Sequence, residues 1–288
     1  METNIQGFIG CISSYAEART VLLGAPFDST TSFRPGARFG PSAIRSESFG
    51  IESYSPYQDK ALEDSRIFDA GELELPFGNA AAALDMIEGG VSEILNDGKM
   101  PALLGGEHLV TLGAVRAAAK KYPELRLIHF DAHADLRSDY MGESLSHASV
   151  IRRCHDILGD GRIFQFGIRS GSREEIEWGR GHVETEFFSA EGISRTAERL
   201  RGLPLYVTLD LDVIDPSEFP GTGTPEAGGL RFAELLRAIL SLRGLNVAAF
   251  DLCELSPHYD HSGASTALAC KTLREMLLAF YEHDEGKM

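Results

Sequence analysis

Apolar residues along this chain fall into two kinds of run that take turns. Residues 19–26, Arg-Thr-Val-Leu-Leu-Gly-Ala-Pro, read as a first buried strand closed by a turn signal. Asp28 to Pro41 follows, a loop carrying Ser29, Thr30, Thr31, Ser32, Pro35, Gly36 and Gly40, long enough to be functional. Ser42–Ser48 reads as a short helix and Arg66–Phe68 as a short strand. Ala80–Leu95 has helical periodicity and stops before Asn96-Asp97-Gly98. From there strand-length runs alternate with helical segments. Pro101–Leu104 precedes a helix over 109–121, Arg126–Phe130 one over 147–158, and Arg162–Ile168 one near 173–179. Pro204–Leu209 precedes a helix over 231–241 and Leu245–Phe250 one over 264–281. Such alternation predicts an α/β fold, a mainly parallel sheet with helices on both faces. No linker, low-complexity stretch or internal repeat interrupts it, so residues 1–288 read as a single domain.

Polar residues gather where the apolar runs end. Gly105-Gly106-Glu107-His108 follows one run, Asp131-Ala-His133-Ala-Asp135 a second, Asp210-Leu-Asp212 a third and Asp251-Leu-Cys-Glu254 a fourth. In open α/β sheets ligands bind beyond the carboxyl ends of the strands. Within Leu127–Asp135, read as one strand, side chains two apart share a face, so Asp131, His133 and Asp135 converge while Ala132 and Ala134 pack behind. His129 points the same way but deeper, as a core or supporting histidine.

Each group alone has an ordinary explanation. His108 could open a helix, Asp210 and Asp212 could be loop or cap carboxylates, and Ser146-His147 could be a capping pair. Together they cannot all be ordinary, because clustered unpaired carboxylates cost several kcal/mol or lose their charge. Divalent cations relieve this. His108, His133, Asp131, Asp135, Asp210 and Asp212 offer two imidazoles and four carboxylates, enough to balance two M²⁺ ions. Oxygen with some imidazole and no thiolate favours Mn²⁺ and leaves Zn²⁺, Ni²⁺ and Co²⁺ open. A metal pair lowers the pKa of a bound water enough to make hydroxide near neutrality.

Composition narrows the partners. The 288 residues are 43% hydrophobic and 24% charged, as in ordinary soluble proteins. No run approaches the roughly 18 apolar residues of a membrane span, and Met1–Gly10 lacks the basic start and apolar core of a signal peptide. A soluble cytoplasmic protein is expected. The formal charge of −16 disfavours nucleic acid and anionic membranes and suits cationic substrates or metal ions. Glu282, Asp284 and Glu285 read as part of a solubilising polar tail. Cys11, Cys154, Cys253 and Cys270 lie far apart without a Cys-x-x-Cys, as buried free thiols would.

Six ordered blocks carry a family resemblance: Gly-Gly-Glu-His108, Phe-Asp131-Ala-His133-Ala-Asp135, Ser-His147-Ala-Ser, Asp210-Leu-Asp212-Val-Ile-Asp-Pro, Pro220-Gly-Thr-Gly-Thr-Pro-Glu-Ala-Gly-Gly and Phe-Asp251-Leu-Cys-Glu254-Leu-Ser-Pro. With the earlier block from Thr31 to Pro41 they make nearly the whole chain resemble the ureohydrolase family of arginases and agmatinases, and its agmatinase branch above all. That resemblance implies a three-layer, arginase-like fold around about eight strands and a binuclear Mn²⁺ enzyme that hydrolyses a guanidino group to urea and an amine. By the same resemblance His108, Asp131, Asp135 and Asp210 hold one metal, and Asp131, His133, Asp210 and Asp212 the other, with Asp131 and Asp210 bridging. Glu254 corresponds to the acid that binds the guanidinium, and His147 to a histidine that orients substrate or shuttles protons. Asp135 is the expected proton carrier to the leaving amine, and Asp251 a supporting residue. Homotrimers or homohexamers are implied as well.

The substrate's tail is read from the loop after the Asp131-Ala-His133-Ala-Asp135 motif. Arginase-like relatives hold an α-carboxylate and α-amine with Asn, Ser and Thr side chains there, whereas Leu136–Ser146 has no Asn and no Thr. Agmatine is therefore the expected substrate, its distal amine facing Asp139 and Glu143. Arg137 would instead suit a carboxylate such as that of guanidinobutyrate, and guanidinopropionate, guanidine and arginine complete the alternatives. A deacetylase-like amide hydrolase would need a His-His dyad, which the chain lacks. A metal-stabilised binding protein that catalyses nothing is the remaining reading.

Overall fold

The computed structural model describes residues 7–281. Strands β1 (Thr20–Ala25), β4 (Ile67–Glu72), β5 (Met100–Gly105), β6 (Arg126–Phe130), β7 (Ile163–Ile168), β8 (Glu184–Phe187), β9 (Leu205–Asp210) and β10 (Val247–Cys253) form one sheet. Its order is β4-β1-β5-β10-β9-β6-β7-β8, and every pairing is parallel. A two-stranded hairpin, β2 (Tyr54–Ser55) with β3 (Lys60–Ala61), lies apart from it.

Helices cover both faces, the expected three layers. On one side α2 (Ala80–Asn96), α3 (Val110–Lys121) and α4 (Val150–Leu158) pack over Val21, Leu103, Leu127 and Tyr206. On the other, α1 (Gly40–Glu47), α6 (Ile193–Arg199), α7 (Phe232–Ser241) and α8 (Ala264–Phe280) pack over Leu22, Ile128, Val207 and Phe250. Period-two alternation in the strands feeds both cores, which is why the central strands are apolar throughout.

The largest departures from the sequence reading fall at the sheet edges. β4 extends to Glu72, past the expected end at Phe68, and β8 and α6 were not foreseen. Both edge strands are polar and half-exposed, IFDAGE and ETEF, so no hydrophobic period marks them. Asp69 in β4 is tolerated because Arg45 of α1 grips its carboxylate at 2.8–3.1 Å and Phe8 N–H donates to it at 2.9 Å. α5 (Arg173–His182) outlasts its expected end, launched by a reciprocal cap in which Ser172 and Glu175 each satisfy the other's backbone N–H. β6 also stops at Phe130, so the stretch to Asp135 is not one continuous strand.

All four cysteines are free; Cys154, Cys253 and Cys270 are buried, but Cys11 is only half-buried. No helix among the described residues is long and apolar enough to cross a membrane. The acidic tail at Glu282, Asp284 and Glu285 lies outside the described residues, as do the first six of Met1–Gly10.

Candidate metal centre

The four polar strand ends belong to four adjacent strands at the middle of the sheet, β5-β10-β9-β6. Gly106 brings the first of them into place. A Cβ there would lie 1.9 Å from the Phe27 carbonyl oxygen, so only glycine lets the chain leave β5 at that angle and present His108. His108 Nδ1 then faces Asp131 Oδ2 at 3.0 Å, Asp135 Oδ2 at 3.2 Å and Asp210 Oδ2 at 3.4 Å. Beside this group, His133 Nδ1 lies 3.0 Å from Asp212 Oδ2 and 3.4 Å from Asp131 Oδ1. Asp131 thus offers one oxygen to each group. Asp210 turns Oδ2 to the His108 group, while its Oδ1 accepts the Asp212 N–H at 2.8 Å.

Convergence of Asp131, His133 and Asp135 does not come from strand alternation alone. Beyond β6 the chain is an irregular extension, and Asp135 reaches the cluster from a left-handed backbone, φ 53°. Glu254, which follows β10, is left-handed too, at φ 67°. Non-glycine residues adopt that conformation only where their surroundings compel it.

The donor set fits divalent metal. His108 Nδ1 is buried and has no aligned hydrogen bond, although three carboxylate oxygens surround it. A nitrogen ringed by oxygens at 3.0–3.4 Å has the spacing of ligands around a shared cation rather than of a directed bond. Electrostatics agree. Burial, and then the charge of Asp131, push Asp135 up to about 7. Burial and the charges of Asp212 and Asp131 push Asp210 well above the carboxylate range. Against their own burial, His108 is driven well above the ordinary histidine value by Cys253 and then by Asp131, Asp135 and Asp210, and His133 by Asp212 and Asp131. Asp131 goes well below, burial opposing it but the close approach of His108 and the hydrogen bond from His129 prevailing. The cluster has excess negative charge and calls for compensating cations.

Supporting contacts hold the donors still. His129 Nε2 lies 2.8 Å from Asp131 Oδ2, and Gln165 Nε2 lies 3.0 Å from its Nδ1. The same Gln165 amide donates to Ala134 O and accepts from Thr185, so it must donate to His129 Nδ1, and His129 is neutral with its proton on Nε2. Burial lowers its pKa accordingly. Behind His108, Nε2 meets Thr208 Oγ1 at 2.8 Å, Thr208 donates to Asp251 Oδ1 at 2.6 Å, and Tyr206 and Thr111 donate to Asp251 Oδ2 at 2.6 and 2.8 Å. Asp251 therefore acts through Thr208, supporting the cluster from behind.

A cavity of about 320 Å³ opens over this cluster. His108, His133, Asp135, Asp210, Asp212, His147 and Glu254 all line it, together with Ser32, Arg137, Tyr140, Glu175 and Thr224. Asp139 and Glu143 do not; both are exposed. Glu254 accepts the His108 backbone N–H on Oε1 at 2.7 Å. His147 opens a 3-10 turn capped by Ser146 and Ser149, so the capping reading holds for its neighbour while its own ring faces the cavity, Nε2 3.2 Å from Ser32 Oγ. Burial lowers its pKa to about 4.

Two acids here had no role assigned from the sequence. Buried Glu107 accepts both threonine hydroxyls of the long loop, Thr30 at 2.5 Å and Thr31 at 2.9 Å, and Thr30 Oγ1 in turn accepts the His147 N–H at 3.1 Å. Glu175 spends its oxygens on the Leu136 and Ser172 N–H groups, at 3.1 and 2.7 Å. Ser172-x-x-Glu175 was visible as a helix-start pattern, but nothing local tells that it faces a ligand cavity.

A parallel α/β sheet with an imidazole and carboxylate cluster at its carboxyl edge has the donors of a candidate metal site. The model of the arginase family matches residues 18–279, and the chain belongs to that family. It is 49% identical to an agmatinase from Bacillus anthracis over 277 residues, 95% of this chain and 96% of the relative. An agmatinase from Bacillus subtilis (strain 168) is 48% identical with the same coverage. The crystal structure of a putative agmatinase from Clostridium difficile superposes with a TM-score of 0.91 at 45% identity, covering 93% of this chain and 99% of that one.

Proposed function

We propose that the protein hydrolyses agmatine to putrescine and urea. The observation that carries this reading is the cavity itself, which places Glu254 beside two donor groups that share Asp131. His108, Asp131, Asp135 and Asp210 would hold one divalent ion, and His133, Asp212 and the second oxygen of Asp131 the other, with Asp210 bridging on the family pattern. Manganese suits these donors. Such ions would supply Lewis-acid charge and a hydroxide at neutral pH.

The chain's own groups do the rest. Glu254 pairs its carboxylate with the planar guanidinium and fixes its orientation. Asp135 takes up the proton released by the attacking water and passes it to the nitrogen of the departing amine, which leaves poorly without one. His147, neutral at pH 7, orients substrate or relays that proton from the Ser32 side of the cavity. A cytoplasmic homotrimer or homohexamer belongs to the same proposal.

Arg137 favours a second reading. It lines the cavity where Asp139 and Glu143 do not, and a carboxylate-tailed substrate such as guanidinobutyrate would meet it. Glu175 lies 3.4 Å from the Arg137 Nε and offsets that charge, which keeps agmatine first. A urea-release panel on Mn²⁺-loaded protein, across agmatine, arginine, guanidinobutyrate, guanidinopropionate and guanidine, tests both. Agmatine should have the highest kcat/KM; a guanidinobutyrate preference would transfer the assignment, and no urea from any compound would leave a metal-binding protein.

A further inference from the structure

Away from the central cavity, three potential ligands meet at the far end of α4. His155 Nε2 and His182 Nδ1 each lie 2.7 Å from the same oxygen of Asp160, Oδ1. His155 belongs to the last turns of α4, Asp160 sits between Gly159 and Gly161 just beyond it, and His182 ends α5. None of them lines the central cavity. His147 and His155 are separated by eight residues of helical chain, about 12 Å of rise.

We propose that His155, Asp160 and His182 form a second, peripheral site for a borderline transition-metal ion of the Zn²⁺, Ni²⁺ or Cu²⁺ class. Two imidazoles and one carboxylate suit those ions better than Mn²⁺ or Mg²⁺, and they leave positions open for water. Metal–ligand bonds of about 2.0–2.2 Å require donors roughly 3.3 Å apart, so the trio must open by about 0.6 Å. Asp160 and His182 can move that far, since their side chains are 68% and 36% exposed. No proton need leave the protein. Each imidazole now donates to Asp160, and by tautomer exchange it turns a lone pair inward and its N–H outward.

The rings are already oriented. His182 stacks on Trp178 at 4.2 Å and 15°, His155 meets the same indole edge-on at 4.8 Å, and the Arg152 guanidinium lies 3.6 Å from the indole centroid. A bound ion would clamp the end of α4 to the end of α5. Those helices carry Arg152, whose N–H donates to Asp135 O, and the cavity-lining Glu175.

Trp178 is the only tryptophan in the chain, so its emission reports on this site alone. With Mn²⁺-loaded protein, Cu²⁺ or Ni²⁺ should quench Trp178 saturably at one equivalent, and Zn²⁺ should reverse the quenching by competition. Asp160→Asn, which leaves the indole stack untouched, and His182→Gln should each weaken the apparent Kd at least tenfold. Urea release by Asp160→Asn, expected at the wild-type rate, verifies that the variant is folded. Quenching that rises linearly without saturation, or a folded Asp160→Asn protein with the wild-type midpoint, would overturn the proposal.

Discussion

Glu254 and Asp135 both hold a left-handed backbone, at φ 67° and 53°, and both face the cavity. Strain of this kind persists where a side chain must reach one particular place. Glu254→Gln keeps the shape and the His108 N–H contact but removes the charge. Metal content should stay at the wild-type value while kcat/KM for the guanidino substrate falls by roughly ten- to a hundredfold, by elemental analysis and urea release. Asp131→Asn strikes the carboxylate shared by both donor groups; metal occupancy and turnover should fall together, and a fully metallated, active variant would refute the ligand set. His147 makes a pH prediction. Its folded pKa of about 4 lies below the ordinary histidine value, so as pH falls from about 6.5 towards 4 the unfolded chain takes up a proton that the folded one refuses. Wild type should therefore lose on the order of 2 kcal/mol more than His147→Gln between pH 7 and pH 4.5, by chemical denaturation.

At the scale of elements, the turn leaving β5 does the most positioning. Gly106→Ala would drive a methyl into the Phe27 carbonyl and displace both Glu107 and His108. A loss of about 3 kcal/mol or more is expected in urea denaturation, because backbone rather than a flexible side chain must yield. Arg45 joins α1 to the edge strand β4 through buried Asp69. Arg45→Met should cost about 3–5 kcal/mol by the same measurement, since it leaves that carboxylate buried without its partner. Legibility differs among these elements for one reason. β1, β5, β6, β9 and β10 are buried on both faces and read as apolar runs, whereas β4 and β8 are edge strands with polar faces and are visible only through their pairing partners. The ligand types were legible for a related reason: carboxylates and histidines directly after apolar runs are costly unless something binds them. Glu107 and Glu175 were not, because each does the work of an ordinary turn or cap residue, and only packing turns it towards His147 or the cavity.

At the scale of the molecule, the cluster draws on four strands at the centre of one sheet. Metal should then stabilise the whole fold. Stripping with a chelator should lower the Tm, and re-adding Mn²⁺ should restore it with a concentration dependence, about 2.7 kcal/mol at a hundred times Kd. An unchanged Tm would argue against ions bound at the sheet's carboxyl edge. What the sequence by itself determined was the alternation of strands and helices, the donors available and the strand ends that carry them, all written in local spacing. Tertiary structure alone decided that β10 and β9 insert between β5 and β6, so that ends distant in the chain become neighbours. It also decided that Arg137 and Glu175, rather than Asp139 and Glu143, face the cavity. Hydrophobic periodicity records which residues are buried, but strand order and loop path arise from contacts between distant segments, which no local pattern encodes.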